Sequence, residues 1–191
     1  MEFVFATGNV HKLQEAREIL GTNVALKSLK DLGFSGDIPE EQPTIEGNAI
    51  QKAQFIYDRF GEDCFADDTG LEIDALEGRP GVYSARYAGE ECSFEDNVNK
   101  VLRELEGCAN RTARFRCVIA FILKGKVHTF EGVVEGKILN APTGNKGFGY
   151  DPIFQPMESD RSFAEMSAED KHAISHRGRA LEKFHQFLQT Q

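Results

Sequence analysis

The sequence predicts an α/β protein with a mixed β-sheet, and three observations lead to that fold class. Short apolar runs alternate with amphipathic helical segments in the order β-α-β-α-β-β-α, before a long hairpin and a C-terminal helix. The helical segments carry capping or terminating residues. Of the 191 residues, 40% are hydrophobic and 28% are charged, which is the balance of an ordinary globular domain. We expect one domain over residues 1–191, with both chain ends in one lobe and the hairpin extending the sheet.

The N-terminal third is predicted to alternate strands and helices. A buried strand over Glu2–Ala6 is followed by a helix over His11–Leu20, because apolar residues recur there at helical spacing. Val24–Leu29 is predicted to be the second strand. Thr44 is a suitable N-cap for the second helix, and Gly61 ends it.

The middle of the chain begins with a third strand and a third helix. Cys64–Ala66 is a short apolar strand that leads directly into two aspartates, and Leu71–Leu76 continues in extended conformation. A loop rich in glycine, proline and tyrosine follows. Ser93 and Asp96 have the spacing of a capping box, which predicts a helix beginning at this point.

The C-terminal part is predicted to contain a hairpin, a loop and one helical region. Thr112–Leu123 is the longest apolar strand, and the turn that follows predicts its pairing with Val127–Val134. Asn140–Tyr150 is a glycine-rich loop. Ser167 can cap a helical region that continues to about residue Gln189.

The charge balance narrows the classes of partner. With 22 Lys+Arg against 31 Asp+Glu, the net charge is -9, whereas domains that bind nucleic-acid polymers usually carry a basic surface. We expect no such polymer as partner, although a few placed cations could still bind a small polyphosphate. No apolar stretch approaches the roughly 20 residues of a membrane span. The N-terminus lacks a signal peptide, and the four cysteines lack C-x-x-C spacing, so we expect a cytoplasmic protein with reduced thiols and no membrane partner.

A candidate phosphate-binding loop lies between the first predicted strand and helix. It consists of Thr7, Gly8, Asn9, Val10, His11 and Lys12. A helix N-terminus offers N–H groups and a partial positive charge, to which Thr7 adds a hydroxyl group and Lys12 a cation. The loop matches neither of the common glycine-rich phosphate motifs. Taken alone, it is more simply a strand–helix turn with a surface lysine.

Two acidic segments are candidates for a metal site. Asp67 and Asp68 are predicted at the end of a buried strand, where α/β sheets favour ligand sites. Adjacent carboxylates raise each other's pKa unless a cation lies beside them, and Mg²⁺ prefers oxygen ligands that it shares with substrate phosphates. A solvated turn explains the two aspartates equally well. Glu40 and Glu41 contribute only if the fold brings their acidic loop to this point.

Two C-terminal segments are candidates for recognition of a base. In the glycine-rich loop, Phe148 or Tyr150 could stack on a base, and Asp151 could accept a hydrogen bond from a ring N–H. Cations and a hydroxyl group also gather between Lys171 and Arg177 on the last helical region, and arginine can donate two hydrogen bonds to purine O6 and N7. In isolation, a connection with core aromatic residues and a solvated helix face are the simpler interpretations.

Short motifs in a fixed order connect this chain with a known family. They are Thr7-Gly8-Asn9 with Lys12, Asn48-Ala49 with Lys52-Ala53, Ala66 to Leu71, Pro80 to Tyr87, Phe148 to Pro152 and Ser175 to Gly178. Each motif is short, but the ordered set covers nearly the whole chain and is highly specific. In these motifs the sequence resembles the inosine triphosphate pyrophosphatase family, the Ham1-like pyrophosphatases of non-canonical purine triphosphates.

The resemblance implies a fold, a reaction and an assembly. The fold would be α/β, with an elongated mixed sheet flanked by helices and two lobes around a central cleft. The reaction would be hydrolysis of ITP, dITP and XTP to the monophosphate and pyrophosphate, which removes deaminated purines from the nucleotide pool. The family also implies a Mg²⁺ requirement and a homodimer, and the Thr112–Val134 hairpin is a candidate for part of the dimer surface.

The resemblance also implies roles for individual residues. Asp68 would be the general base and, with Glu40, a metal ligand, while Glu41 is the alternative ligand in the same loop. Thr69 would contact the substrate. Thr7 to Lys12 and Lys52 would hold the phosphates. The base would be bound by Phe148, Gly149, Tyr150, Asp151, Lys171, His176 and Arg177.

Two other functions remain open at this point. One is a Maf-like pyrophosphatase of modified or pyrimidine triphosphates, against which the Ser175-His176-Arg177 segment argues. The other is a non-catalytic module that binds a nucleotide or a metal, against which Lys12, Lys52 and Asp68 argue. Arg177 is the residue expected to select the base, because its donors match O6 and N7 of a 6-oxo purine, whereas adenine presents an amine.

Overall fold

A computed structural model describes residues 1–191 and contains a seven-stranded mixed sheet and five α-helices. The strands are β1 Glu2–Phe5, β2 Ala25–Lys27, β3 Cys64–Ile73, β4 Pro80–Gly81, β5 Thr112–Leu123, β6 Lys126–Ile138 and β7 Phe154–Pro156. The helices are α1 Val10–Leu20, α2 Ile45–Phe60, α3 Phe94–Glu104, α4 Ala168–Ile174 and α5 His176–Leu188. The predicted α/β class is confirmed. No helix is long and apolar enough to span a membrane.

The sheet combines parallel and antiparallel neighbours. Its strand order is β2-β1-β3-β5-β6-β7, with β4 paired to β3 off this path. Strand β1 is parallel to both β2 and β3, because the chain crosses back through a helix each time, as parallel pairing requires. Strands β4 and β7 pair antiparallel with β3 and β6.

The chain divides into two compact units, each built from separate segments. The first unit contains residues 1–68, 117–132 and 177–191, and the second contains residues 69–116 and 133–176. Both chain ends therefore lie in the first unit, as the sequence predicts, and the hairpin strands β5 and β6 belong to the sheet. A single domain over residues 1–191 stays a prediction.

In the first unit, one face of β3 packs against α1 and α5. The rings of Phe5 and Phe65 stack at a centroid distance of 4.3 Å, and Phe184 of α5 lies 5.0 Å from Phe65. Ala16 and Leu20 of α1 belong to the same buried cluster. Since side chains alternate along a strand, the residue two positions after Phe65 points toward these same helices.

The other face of β3 in the first unit packs against α2. The thiol of Cys64 donates to the Ala53 carbonyl oxygen at 3.3 Å, and Ala53 and Ile56 are fully buried. Helix α2 begins and ends as predicted, because the Thr44 hydroxyl group accepts from the amide of Gly47 and Gly61 adopts a left-handed conformation. Consecutive residues of β3 thus face different helices.

The second unit has its own apolar core and a well-capped helix. Phe115 packs against Phe154 at 4.7 Å, and Phe163 lies 5.2 Å from Phe154. The predicted capping box is present, since the amide of Ser93 donates to Asp96 Oδ2 at 2.8 Å and the amide of Asp96 donates to Ser93 Oγ at 3.1 Å.

Several predicted element boundaries are wrong, and β2 covers only Ala25–Lys27 instead of Val24–Leu29. Strand β3 does not end before its aspartates but continues through them to Ile73, so the predicted extended segment is confirmed over Leu71–Ile73, and a 3₁₀ turn replaces only its end, Asp74–Leu76. Strand β6 continues to Ile138, and the short strand β7 pairs with its end. The single C-terminal helical region is two helices, because Ser175 is extended (φ −71°, ψ 157°) and separates α4 from α5.

Candidate active site

The predicted phosphate loop is a self-capped start of helix α1. Asn9 is the N-cap, and its Oδ1 accepts from the amides of His11 at 2.9 Å and Lys12 at 3.3 Å. The amide of Asn9 in turn donates to Thr7 Oγ1 at 3.1 Å. Val10 and His11 are exposed. Two amides at this helix N-terminus are therefore bound to Asn9, so the positive charge that the loop contributes to a site is mainly that of Lys12.

Asp67 lies in the middle of β3 and points toward α1 and α5. Its Oδ2 binds Lys12 Nζ at 3.1 Å and Arg177 Nε at 3.2 Å. Arg177 also forms an ion pair with Glu15 of α1 through its NH1 group. The side chain of Asp67 is 2% exposed and that of Arg177 4%, which excludes both a solvated turn and a solvated helix face.

The charges around Asp67 stabilise its ionised form. Burial alone would raise the pKa of Asp67, but Lys12, Arg177 and Lys52 outweigh it and hold that pKa well below its usual range. For Arg177, burial opposes the positive charge, yet Asp67 and Glu15 raise its pKa above the usual value. These groups form a permanently charged network.

Asp68, the next residue of β3, points toward α2. Its Oδ1 binds Lys52 Nζ at 3.0 Å, and the same ammonium group binds Glu40 Oε1 at 2.6 Å. Although burial disfavours the charged form of Lys52, its pKa is raised by Asp68, Glu40 and Asp67. A lysine from α2 thus brings together two carboxylates that lie 28 positions apart in the chain.

Only one carboxylate oxygen of Asp68 is engaged by Lys52. Its Oδ2 is buried and has no hydrogen-bond partner. Burial raises the pKa of Asp68 above its ordinary value, although Lys52 and Lys12 lower it. A buried carboxylate with a raised pKa and an unused oxygen has the properties of a general base.

The Glu40–Asp68 pair fits a hard divalent cation. Asp, Glu, His and Cys side chains nowhere form a group of three or more that could hold a metal ion alone. Mg²⁺ is usually bound by only one or two carboxylates together with water and substrate phosphates, so two converging carboxylates and the unpartnered oxygen of Asp68 suit it. Glu41 is exposed and its amide binds Gln51 at 2.9 Å, so Glu40 is the glutamate that approaches Asp68.

The predicted base-binding loop lies in the second unit and is fixed by Asp151. The buried Asp151 Oδ2 accepts from Lys171 Nζ at 2.7 Å and from the amide of Phe148 at 3.0 Å. The Lys171 ammonium group lies 4.9 Å from the centre of the Phe148 ring. At Gly147 a Cβ atom would collide with Asp151 Oδ2, and φ is +72°, so this turn requires glycine.

Tyr150 connects this loop with a motif for which the sequence suggests no role. Its hydroxyl group donates to the Ser84 carbonyl oxygen at 2.7 Å. The Ser84 hydroxyl group accepts from the amide of Leu71 at 2.9 Å and donates to the Gly81 carbonyl oxygen at 2.6 Å. Burial raises the pKa of Tyr150, which keeps this hydroxyl group protonated as a donor.

Of the remaining predicted residues, His176 and Arg177 follow the boundary between α4 and α5, and Thr69 lies in β3. His176 is buried, and its ring stacks on Phe115 at 4.6 Å. Thr69 is half-buried in β3. Arg177 lies in the first turn of α5 rather than near the middle of a longer helix. Within the first unit, the structure thus brings together Lys12, Glu40, Lys52, Asp68 and Arg177, and within the second it brings together Phe148, Asp151 and Lys171.

Sequence reasoning assigned no role to Glu15 or Ser84, and it considered Asp67 only as a possible metal ligand beside Asp68. The position of Asp67 next to Asp68 marks it in the sequence as a candidate residue. Only the structure shows that the two side chains lie on opposite faces of β3. Glu15 gives no local signal, since its partner Arg177 is 162 positions away. Ser84 belongs to the conspicuous Pro80–Tyr87 motif, and its contacts with Leu71, Gly81 and Tyr150 give this residue a structural role.

Comparison with known proteins assigns the family. The Ham1 family model matches residues 3–187. The chain belongs to the Ham1 family. A dITP/XTP pyrophosphatase of Flavobacterium johnsoniae is 50% identical over 183 residues, which cover 96% of this chain and 95% of that protein. A dITP/XTP pyrophosphatase of Bacillus subtilis is 46% identical over 193 residues, which cover 99% of this chain and 98% of that protein.

Solved structures of the Ham1 family have the same fold. A HAM1 protein from Coxiella burnetii is similar with a TM-score of 0.92 and 38% identity over 100% of both chains. The Ham1 protein of Staphylococcus aureus has a TM-score of 0.91 and 38% identity, covering 100% of this chain and 99% of that one. The resemblance drawn from the ordered motifs is confirmed.

Proposed function

We propose that this Ham1 family chain hydrolyses non-canonical purine nucleoside triphosphates, namely ITP, dITP and XTP, to the monophosphate and pyrophosphate. The observation that carries the proposal is Asp68, a buried carboxylate with a raised pKa and an unpartnered oxygen, close to the cation of Lys52. The relatives named dITP/XTP pyrophosphatase support the same reaction. Hydrolysis at the linkage between the α- and β-phosphates requires a base and positive charge, and this group of residues offers both.

Asp68 is the general base in this proposal. Its Oδ2 accepts a proton from the attacking water, whose oxygen forms the new bond to phosphorus as the bond to the pyrophosphate oxygen breaks. No covalent enzyme intermediate is needed, because no Ser-His or Cys-His pair is part of the site. Lys12 and Lys52 are held by ion pairs at 3.1 Å and 3.0 Å and neutralise charge that develops on the phosphate oxygens.

Glu40 and Asp68 would hold Mg²⁺. When bound, the ion supplies positive charge to the phosphate oxygens. Asp68 would share the work of ligand and base through its two oxygens, while Lys52 orients both carboxylates. The phosphates would also contact Thr7, Gly8, Asn9, Val10 and His11, and Thr69 would contact the substrate beside Asp68.

Base selection is proposed to depend on hydrogen-bond donors. Hypoxanthine and xanthine carry an O6 acceptor where adenine carries an amine, so donors from Arg177 and His176 match the first two and oppose the third. Leaving such buried donors unpaired can discriminate by about 10⁴–10⁵. The Phe148–Asp151 loop, held by Lys171 at 2.7 Å, would supply the stacking surface and an acceptor for a ring N–H.

Pyrophosphate release from a panel of triphosphates tests the reaction. We expect turnover of ITP, dITP and XTP well above that of ATP and of pyrimidine triphosphates, and we expect it to require Mg²⁺. Faster turnover of pyrimidine or modified triphosphates would instead support a Maf-like specificity. Nucleotide binding without any pyrophosphate release would support a non-catalytic module and contradict the proposal.

The choice between Glu40 and Glu41 as metal ligand has a direct test. We expect Glu40→Gln to raise the Mg²⁺ concentration for half-maximal activity by roughly tenfold, the size of one lost charge-assisted contact. Glu41→Gln is the matched control, because this exposed side chain is bound to Gln51. Equal Mg²⁺ curves for the two variants would remove Glu40 from the metal site.

We also propose that the protein is a cytoplasmic homodimer. The family resemblance supports the dimer, and the sequence features described above support the location. Light scattering during size-exclusion chromatography tests the mass directly. A monomeric mass at micromolar concentration would contradict the dimer.

A further inference from the structure

The two residues that follow Glu40 are held on helix α2 through their backbone amides. The amide of Glu41 donates to Gln51 Oε1 at 2.9 Å. The amide of Gln42 donates to Asn48 Oδ1, also at 2.9 Å. Both acceptors are side-chain amide oxygens. The acidic loop is therefore bound to the helix at two successive peptide groups directly after the proposed metal ligand.

The helix residues that hold this loop share one face of α2. Gln51 lies three positions after Asn48 and Lys52 lies four positions after it, so their side chains project from adjacent turns. Lys52 binds the Glu40 carboxylate at 2.6 Å. One helix face thus fixes the carboxylate of the loop with an ammonium group and the backbone of the loop with two amide oxygens.

Asn48 and Gly47 bring the loop close to the helix. Asn48 is 1% exposed, and a buried acceptor without a donor is costly, which favours the loop position that supplies the Gln42 amide. A Cβ atom at Gly47 would lie 2.9 Å from Gln42 Cβ and 2.9 Å from Thr44 Oγ1, so the loop packs directly on the first turn of α2. These contacts hold Glu40 in place and involve neither a metal ion nor a nucleotide.

We propose that Asn48 and Gln51 are positioning residues for Glu40 and thereby set the affinity of the site for a divalent cation. The inference rests on the proposed function, in which Glu40 and Asp68 hold Mg²⁺. A loop that is free must be ordered when the cation binds, and the lost conformational entropy lowers the affinity, whereas a loop already fixed loses that entropy on folding. Both side chains act through the backbone next to Glu40, and neither contacts the cation in this scheme.

The first test compares Gln51→Leu with Gln54→Leu. Gln54 is the matched control, because it lies on the same helix and its side-chain amide binds Asp58 at 2.6 Å. We expect Gln51→Leu to raise the Mg²⁺ concentration for half-maximal pyrophosphate release from ITP by about fivefold, the size of one hydrogen bond between neutral groups. At saturating Mg²⁺, kcat should stay near the wild-type value, because the loop can still close on the cation.

Two results of this comparison would overturn the proposal. One is an unchanged Mg²⁺ curve in folded Gln51→Leu, and the other is a lower kcat at saturating Mg²⁺ with no change in the Mg²⁺ requirement. Gln54→Leu should alter neither quantity. A shift of the same size in the control would also overturn the proposal, since it would show that any change on this part of α2 has the effect.

A double-mutant cycle assigns the effect to Glu40. In a Glu40→Gln background, Gln51→Leu should raise the Mg²⁺ requirement no further, because the loop no longer carries the ligand that Gln51 positions. An undiminished shift in that background would overturn the proposal.

Backbone hydrogen exchange, followed by NMR without nucleotide or metal, tests the attachment itself. Gln51→Leu should accelerate exchange of the Glu41 amide by about fivefold, and Asn48→Ala should do the same for the Gln42 amide, since each loses its acceptor. Gln54→Leu should accelerate neither. Wild-type exchange rates at both amides in the folded variants would overturn the proposal. Gln51 is only partly buried, so its variant keeps the test decisive if Asn48→Ala does not fold.

Failure of the proposed function has a different signature. In that case the wild-type protein would release no pyrophosphate from ITP, or Glu40→Gln would leave the Mg²⁺ curve unchanged. Failure of the positioning role instead leaves an active enzyme whose Mg²⁺ requirement depends on Glu40 but not on Gln51. Thermal unfolding checks the fold of each variant.

Discussion

Asp67 and Asp68 are chemically identical neighbours in β3, yet they face opposite sides of the strand and behave as opposites. Asp67 faces two cations, Lys12 and Arg177, which hold its pKa well below the usual range despite burial. Asp68 shares the single cation of Lys52 with Glu40, and burial raises its pKa. The surroundings of Asp67 keep it ionised, whereas those of Asp68 suit the general base that we propose it to be.

The two faces of β3 provide different environments for a carboxylate. On the face toward α1 and α5, Asp67 holds Lys12 and Arg177 in place by ion pairs. On the face toward α2, Asp68 shares one lysine with Glu40, and burial outweighs the cations around it, so its pKa lies above the ordinary value. Environments that separate the pKa values of two carboxyl groups are how one site obtains both an electrostatic anchor and a proton acceptor.

The largest expected effect is the loss of turnover in Asp68→Asn. This substitution removes the proposed general base, and because a general base contributes about 10²–10⁴-fold in typical enzymes, kcat should fall by at least about 10²-fold. The side-chain volume hardly changes, so the protein should remain folded. Steady-state kinetics with ITP at saturating Mg²⁺ provides the measurement, and a kcat near that of the wild type would remove Asp68 from this role.

Asp67→Asn should instead damage stability. Removing one partner from a buried ion network typically costs about 3–5 kcal/mol, which corresponds to a fall in Tm of roughly 10 °C for a chain of this size. Asp68→Asn should change Tm far less, because burial already disfavours its charge and Lys52 retains Glu40. Thermal unfolding of both variants measures this difference in stability. Equal Tm values for Asp67→Asn and Asp68→Asn would show that the two carboxylates contribute equally to stability.

Much of the fold is predictable because its signals are local. Helix α2 lies between a capping threonine and a terminating glycine, and α3 begins at the Ser93–Asp96 box, so both helices are predicted from neighbouring residues. Strand β7 has only three residues and exists because Gly136–Ile138 of β6 supplies its partner, which no short-range pattern reveals. The break at Ser175 is likewise invisible in the amphipathic pattern.

The candidate site shows where local reasoning stops. Asp67 and Asp68 have the composition of a turn, but β3 continues through them because Lys12, Lys52 and Arg177 neutralise their charge. Those cations come from three different helices, and the pairing of Asp67 with Arg177 spans 110 positions. The family motifs contain most of the residues that the structure brings together, whereas the different surroundings of the two aspartates could be seen only in the structure.

Substitution of the lysine on each face of β3 should have an intermediate effect on kcat/KM. Lys12→Ala and Lys52→Ala should each lower kcat/KM for ITP by the value of a charge-assisted hydrogen bond, roughly 1.5–3 kcal/mol. Lys27→Ala is the matched control, because this partly exposed lysine binds Glu2 and Glu62 away from both aspartates. If both site variants behave like the control in ITP kinetics, the phosphates bind elsewhere.

Among these variants, Arg177→Ala should produce the smallest but most selective change in kcat/KM. Its donors are held on the Asp67 face of β3, and in the proposed function they favour O6 of a 6-oxo purine over the amine of adenine. One well-oriented arginine contact gives about 1–3 kcal/mol of discrimination between bases. We therefore expect kcat/KM to fall much more for ITP and XTP than for ATP, so that the ratio of kcat/KM for ITP to that for ATP falls by roughly tenfold. Arg177→Lys should not restore the ratio, since an ammonium group cannot hold two donors in one plane. ITP and ATP should be measured on one enzyme preparation. If kcat/KM falls equally for both nucleotides and their ratio is unchanged, Arg177 binds the phosphates or stabilises the Asp67 network. The Phe148–Asp151 loop would then select the base.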